Sequence, residues 1–200
     1  MSEQRQAVVD RKTRETTIHI ELSIDGSGVV VSETGIPFLD HMLDALGRHG
    51  LFDIVARASG DLIVEAHHTI EDVGISLGRA FNEALGDGRG ITRMAHAYAP
   101  LDEALALVVV DRGGRGYAVI DTPLTGEVGG VDADMFRHFL ESFAIEARMN
   151  VHARVVAGVN THHKVEALFK ALARALDAAT RRDPRLGDAV PSTKGALDRG

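Results

Sequence analysis

Two copies of one pattern, His-His-x-x-Glu, stand in this chain: His67-His68-Thr69-Ile70-Glu71 and His162-His163-Lys164-Val165-Glu166. At a helix start, the first His and the Glu are i and i+4. They share a face and can grip one metal ion together. The second His lies about 100° further round the helix and faces elsewhere. Each copy is preceded by another histidine on a predicted helix. His41 sits in Phe38-Leu39-Asp40-His41-Met42-Leu43 and His138 in Met135-Phe136-Arg137-His138-Phe139-Leu140. Six histidines and two glutamates in a two-fold pattern divide into two sites of three His and one Glu. Imidazole and carboxylate donors without thiolate suit Mn, Fe, Co, Ni or Zn and disfavour Ca and Mg. Four protein ligands leave positions open on a six-coordinate ion, as a catalytic site requires. His49 follows His41 by two helical turns and is within reach of the same site. His19, His96 and His152 lie inside predicted strands and read as structural.

The elements that must carry these residues also come in two copies. Thr17, His19, Glu21 and Ser23 alternate with Ile18, Ile20, Leu22 and Ile24, the period-2 pattern of a strand with one buried face. A strand at Ala7–Val9 precedes it, a turn at Gly26–Gly28 follows, and Val29–Val31 is a third strand. From Pro37, the spacing of Phe38, Met42, Ala45 and Leu46 predicts a helix. A strand over Phe52–Ala58 and a helix over about Thr69–Leu85 complete the half, and Gly86-Asp87-Gly88 ends it. The second half repeats the order. Strands are predicted at Ala95–Ala99, Ala104–Asp111 and Tyr117–Asp121, a helix at Ala133–Arg148, a strand at Val151–Ala157 and a helix at Lys164–Thr180. The expected fold class is therefore α+β, with duplicated βββαβα halves over residues 1–92 and 93–184 and a tail over 185–200. Neither half can cover a sheet well alone. Packing four helices between two sheets buries every apolar face.

Composition removes other classes. There are 200 residues, 44% hydrophobic and 26% charged, an ordinary globular balance. The absence of cysteine excludes disulfides, thiolate zinc sites and cysteine nucleophiles. The longest apolar run, Ala104–Val110, is far short of the roughly 20 residues of a membrane span. Met1–Arg5 begins no apolar stretch, so no secretory signal is expected and the cytoplasm is the expected compartment. A net charge of −7 and an aromatic content of 4% speak against a nucleic-acid partner.

On these residues the chain resembles the imidazoleglycerol-phosphate dehydratase family. The resemblance is carried by Arg11-Lys12-Thr13-Arg14-Glu15-Thr16, Phe38–Met42, the two His-His-x-x-Glu blocks, Gly86–Ile91, the stretch His162–Lys170 and the tail Pro191-Ser192-Thr193-Lys194-Gly195. It implies a four-helix layer between two four-stranded mixed sheets, of the ribosomal protein S5 domain 2-like type. It further implies a homo-oligomer of 24 subunits, two Mn²⁺ per active site, and a hydro-lyase of histidine biosynthesis. The implied reaction dehydrates D-erythro-imidazole-glycerol phosphate to imidazole-acetol phosphate. By position, the implied metal ligands are His41, His67, His68, Glu71, His138, His162, His163 and Glu166. The helical-face argument groups His67, Glu71, His138 and His163 on one ion, and His41, His68, His162 and Glu166 on the other, with partners drawn from neighbouring subunits if need be. Glu15 is the implied substrate-contacting acid and the candidate general base. Arg93, Arg115, Lys170, Ser192, Thr193 and Lys194 are implied at the substrate and its phosphate, with the tail folding over the site. Arg gives bidentate contacts and Lys a point charge, and both suit phosphate.

The chemistry is demanding, because the hydrogen lost has no adjacent carbonyl. The imidazole ring must be the electron sink. Two metal ions, one on each ring nitrogen, would stabilise an imidazolate able to expel the hydroxyl through a diazafulvene-like species. Two other readings use the same ligands: a dinuclear metallo-phosphatase, and an assembly in which metal only joins subunits. The first is weakened by the absence of Asp from the ligand set. The second is weakened by a cationic tail suited to an anion.

Overall fold

The computed structural model describes residues 5–60, 62 and 65–197. The first half runs β1 Gln6–Lys12, β2 Thr16–Ser23, β3 Val30–Glu33, α1 Pro37–Gly50, β4 Asp53–Gly60 and α2 His67–Leu85. β2 shows the cause of its own burial: Ile18, Ile20 and Leu22 are buried, while Thr17 and Glu21 on the alternate face are exposed. The strands order as β1-β2-β4-β3. The β1–β2 and β2–β4 pairs are antiparallel, and β3 lies parallel to β4. The second half runs β5 Met94–Leu101, β6 Ala104–Asp111, β7 Tyr117–Asp121, β8 Glu127–Val128, β9 Val131–Asp132, α3 Asp134–Glu146, β10 Asn150–Ala157 and α4 Thr161–Thr180. Its sheet orders as β5-β6-β10-β7 with the same pairing senses. The duplication expected from the pattern is present strand for strand.

One addition breaks it. A small hairpin, β8–β9, sits between β7 and α3 where the first half has only a short link. Its turn is Gly129-Gly130, both at positive φ, the signature of a two-residue hairpin. Gly129 also lies against Phe38, since a Cβ there would come within 2.3 Å of the Phe38 Cβ. Helix starts differ from the expected ones as well. α4 begins at Thr161 rather than Lys164 because the Asn160 side chain accepts from the N–H groups of His162 and His163, an N-cap that draws the histidines into the first turn. α2 likewise begins at His67.

The helices fill the space between the sheets in crossed pairs. α2 packs on β1 and β2, and α4 on β5 and β6. α1 lies beside α4, and α2 beside α3, so each pair takes one helix from each half. Both pairs run parallel. His41 faces Glu166 and Gly50 comes near Ala173. Gly74 abuts Phe139, Gly78 abuts Phe143, and Arg79 Nε donates to Glu146 at 2.8 Å. A chain of aromatic contacts, Phe38–Phe136–Phe169–Phe139 and Phe52–Phe81–Phe143, all edge-on except the tilted Phe169–Phe139 pair, ties the layer together. One buried apolar cluster runs through both halves. Beyond α4 the chain turns back: Gly90 N donates to Ala189 O, and Arg93 Nη1 donates to Pro191 O at 2.7 Å. No helix among the described residues is long and apolar enough to cross a membrane.

Candidate metal centre

The crossed helix pairing brings the expected ligands into two triplets. At the starts of α1 and α4, His41 Nε2 and His162 Nε2 each lie 3.1 Å from the same oxygen, Oε2, of Glu166. The three ligand atoms fall within 4.8 Å of one another. Donors about 2.1 Å from a common ion stand about 3 Å apart when they take adjacent positions, so this spacing fits a divalent cation. At the starts of α2 and α3, His67 Nε2 is 3.7 Å from Glu71 Oε2, and the His67 and His138 rings are 5.0 Å apart. This second triplet is looser. His138 Nε2 is 3.5 Å from Asp134 Oδ2 and 3.0 Å from Arg137 Nη2. The two triplets are related by the duplication: α1 of the first half meets α4 of the second, as α3 of the second meets α2 of the first.

Burial disfavours charge on Glu166, yet hydrogen bonds from Lys170, His41 and His162 overcome it and hold the carboxyl at about 2. The carboxylate is thus an anion at neutral pH. Lys170, expected at the phosphate, reaches its second oxygen, with Nζ 2.6 Å from Oε1. His49, at the end of α1, is pushed below its usual value by desolvation and by the Lys170 ammonium.

His68 and His163 join neither triplet of their own chain. His68 Nδ1 is 3.6 Å from Glu15 Oε2 in the β1–β2 turn. His163 Nδ1 is 2.7 Å from Glu103 Oε2 in the β5–β6 turn. Glu103 and its neighbour Asp102 were not anticipated. The available signal was positional: Glu103 directly precedes β6 as Glu15 directly precedes β2. Glu103 is held at about 2, first by His163 and then by the N–H groups of Asn160 and Val159.

Of the expected phosphate-side residues, Lys170 lies beside the first triplet, whereas the others gather at the other end of the helix layer. Arg93 N donates to Ala179 O near the end of α4. Its guanidinium pairs with Asp111, at 2.7 Å and 3.1 Å, besides holding Pro191. Ser192, Thr193 and Lys194 form the turn just beyond, closed by Gly195 N donating to Ser192 O. Arg115 stands on the β6–β7 turn near the end of α3, where Gly114 N donates to Arg148 O. At 1.5 Å rise per residue, His162 and Ala179 are about 25 Å apart along α4. The tail of this chain therefore lies against Gly90 and Arg93, away from its own triplets.

A duplicated α+β fold with paired His/Glu triplets marks a class of protein that carries the donors of a divalent-metal site in two related copies. The comparisons specify it. The family profile described as imidazoleglycerol-phosphate dehydratase matches residues 34–176. The imidazoleglycerol-phosphate dehydratase of Roseiflexus sp. is 60% identical over 194 residues, covering 96% of this chain and 98% of that one. That of Chloroflexus aggregans is 56% identical, covering 98% and 97%. Among solved structures, IGPD from Pyrococcus furiosus in complex with (S)-C348 superposes with a TM-score of 0.82 at 36% identity, covering 94% of this chain and all of that one. The Staphylococcus aureus enzyme gives 0.81 at 34%, covering 89% and 99%. The chain belongs to the imidazoleglycerol-phosphate dehydratase family, and so is a hydro-lyase of histidine biosynthesis.

Proposed function

We propose that this chain dehydrates D-erythro-imidazole-glycerol phosphate to imidazole-acetol phosphate in the cytoplasm, with two Mn²⁺ per active site, in a homo-oligomer of 24 subunits. The observation that carries the reading is the pair of symmetry-related triplets, His41/His162/Glu166 and His67/Glu71/His138, whose donor set suits a divalent transition metal. His68 completes the first set and His163 the second, each contributed by a neighbouring copy. When bound, the ions supply Lewis-acid stabilisation of the substrate imidazole as it takes up charge. The chain's own residues then have distinct tasks. Glu15 accepts the proton from the carbon that keeps its hydroxyl. The bond from the carbon beside the ring to its hydroxyl breaks, and the hydroxyl takes up one proton as it leaves as water, so that the proton lost from the neighbouring carbon and this one balance. The enol left behind tautomerises to the ketone. Arg93, Arg115, Lys170, Ser192, Thr193 and Lys194 hold the phosphate and close over it, and His49 lines the substrate.

The separation of about 25 Å along α4 supports a site shared between copies, because the tail of one chain must then serve the triplets of another. The outer sheet faces support assembly as well. Val8, Val29, Met94, Tyr98 and Tyr117 are all more than half exposed, an apolar surface that an oligomer would cover.

The test is turnover of imidazole-glycerol phosphate by chelator-stripped protein with and without added Mn²⁺. The reading predicts ketone formation that depends on the metal. Release of inorganic phosphate in its place would point to the hydrolase, and no product from metal-loaded, assembled protein would overturn the reading.

A further inference from the structure

The duplication places one carboxylate beside the second histidine of each His-His-x-x-Glu block, and the two have diverged. Glu15 closes the β1–β2 turn and Glu103 the β5–β6 turn, each one residue before the strand that follows. Glu15 is 3.6 Å from His68 and 59% exposed. Its own N–H is taken by Thr13 Oγ1 at 3.1 Å, and no hydrogen bond reaches its carboxylate among the described residues. Glu103 is bound on both oxygens. Oε1 accepts from the N–H groups of Val159, at 3.1 Å, and Asn160, at 2.7 Å, in the link that leads into α4. Oε2 meets His163 Nδ1 at 2.7 Å. That link is three residues long, 158–160, whereas the one from β4 to α2 is six, 61–66. In the short link, the amides of Val159 and Asn160 lie within reach of the turn.

We infer that Glu103 is a positioning residue that fixes the ring and tautomer of His163 for a divalent cation, while its counterpart Glu15 is left loose to meet the substrate. An ionised carboxylate only accepts hydrogen bonds, so the proton of the neutral ring sits on Nδ1 and the lone pair on Nε2. Among the described residues Nε2 has no hydrogen-bond partner: Asp102 Oδ2, the acid it faces, is 3.8 Å away, beyond hydrogen-bond distance. Asn160 adds to the same lock. Its side chain caps α4 by accepting from His162 N and His163 N, while its own N–H is held by Glu103. One carboxylate thus sets both the backbone that starts α4 and the ring that leaves it. Carboxylates behind a ligating histidine act in this way by fixing its orientation and raising its basicity.

The inference rests on the metal reading above, and its test separates the two. Metal-free wild type, Glu103→Gln, Glu103→Ala and His163→Ala are titrated with Mn²⁺ against a chromogenic chelator, and the melting of each metal-free protein is followed. Loss of an outer carboxylate behind a metal ligand costs about 10- to 100-fold in affinity. Glu103→Ala should weaken one of the two Mn²⁺ sites by that range and leave the other as it was. Glu103→Gln keeps an acceptor oxygen, so it should melt like wild type and still lose affinity at the same site. Wild-type affinity in both Glu103 variants, alongside a lost site in His163→Ala, would overturn the positioning role alone. Wild-type affinity in His163→Ala, or no Mn²⁺ bound by wild type, would overturn the metal reading and this inference with it.

Discussion

Glu15 and Glu103 show how little a residue's type decides and how much its surroundings do. Both are glutamates at the end of a turn, one residue ahead of a strand. One is bonded on both oxygens, and the other is mostly in solvent. A general base must be free to take a proton in the transition state, and such a group contributes about 10²- to 10⁴-fold. Glu15→Gln should lower turnover by that factor and leave Mn²⁺ affinity unchanged. Full turnover in this variant would remove Glu15 from the reaction. The His/Glu pairs were legible in the sequence because their spacing is itself physical: i and i+4 on a helix share a face, and both i, i+4 pairs lie on one face here. The phosphate-side set came only from family resemblance, since an Arg in a Gly-rich turn carries no periodicity. Glu103 was missed because a lone acid in a turn has no pattern of its own. It becomes visible only when the two halves are laid over each other.

The helix pairs are the elements that turn motifs into sites. Within one half, the histidine of the first helix and the His-His-x-x-Glu of the second never meet. Crossing the pairs brings His41 to Glu166 and His138 to His67. Alternation and helical periodicity gave nearly every strand and helix within a few residues. The crossing is not in those periods, because period fixes which face is buried but not which neighbour buries it; it entered the sequence reading only through the grouping of His41 with Glu166 and of His138 with His67. The hairpin β8–β9 was overlooked for a related reason: four residues of strand around Gly129-Gly130 are too few to show a period. Close approach of α2 and α3 depends on Gly78. A Cβ there would stand 2.6 Å from Phe143 O and 2.9 Å from Ala147 N, and backbone atoms cannot swing aside. Overpacking of this kind costs about 1–3 kcal/mol, against a helix-propensity gain of about 1 kcal/mol from replacing glycine. Gly78→Ala should lower the melting temperature and loosen the His67/Glu71/His138 triplet. An unchanged melting temperature would show that the helices can separate freely.

At the scale of the whole molecule, one chain carries all the parts and yet keeps them apart. Its triplets lie where the helices begin, and its cationic tail lies where α4 ends, anchored through Arg93 to Pro191. The sequence supplied both sets of residues; their separation is a consequence of α4's length, which spacing along the chain does not reveal. The account therefore requires that the triplets of one copy meet the tail of another. The most direct measurement mixes two inactive variants, Glu166→Gln and Lys194→Ala, dissociated and reassembled together with Mn²⁺ and assayed for dehydration of imidazole-glycerol phosphate. Sites that draw an intact triplet from one chain and an intact tail from another arise in about a quarter of random pairings in a two-chain interface. Turnover near that fraction of wild type is the predicted result. If the mixture stays as inactive as either variant alone, although the mixed chains assemble and wild type turns over, each site is built within one chain and the account is contradicted.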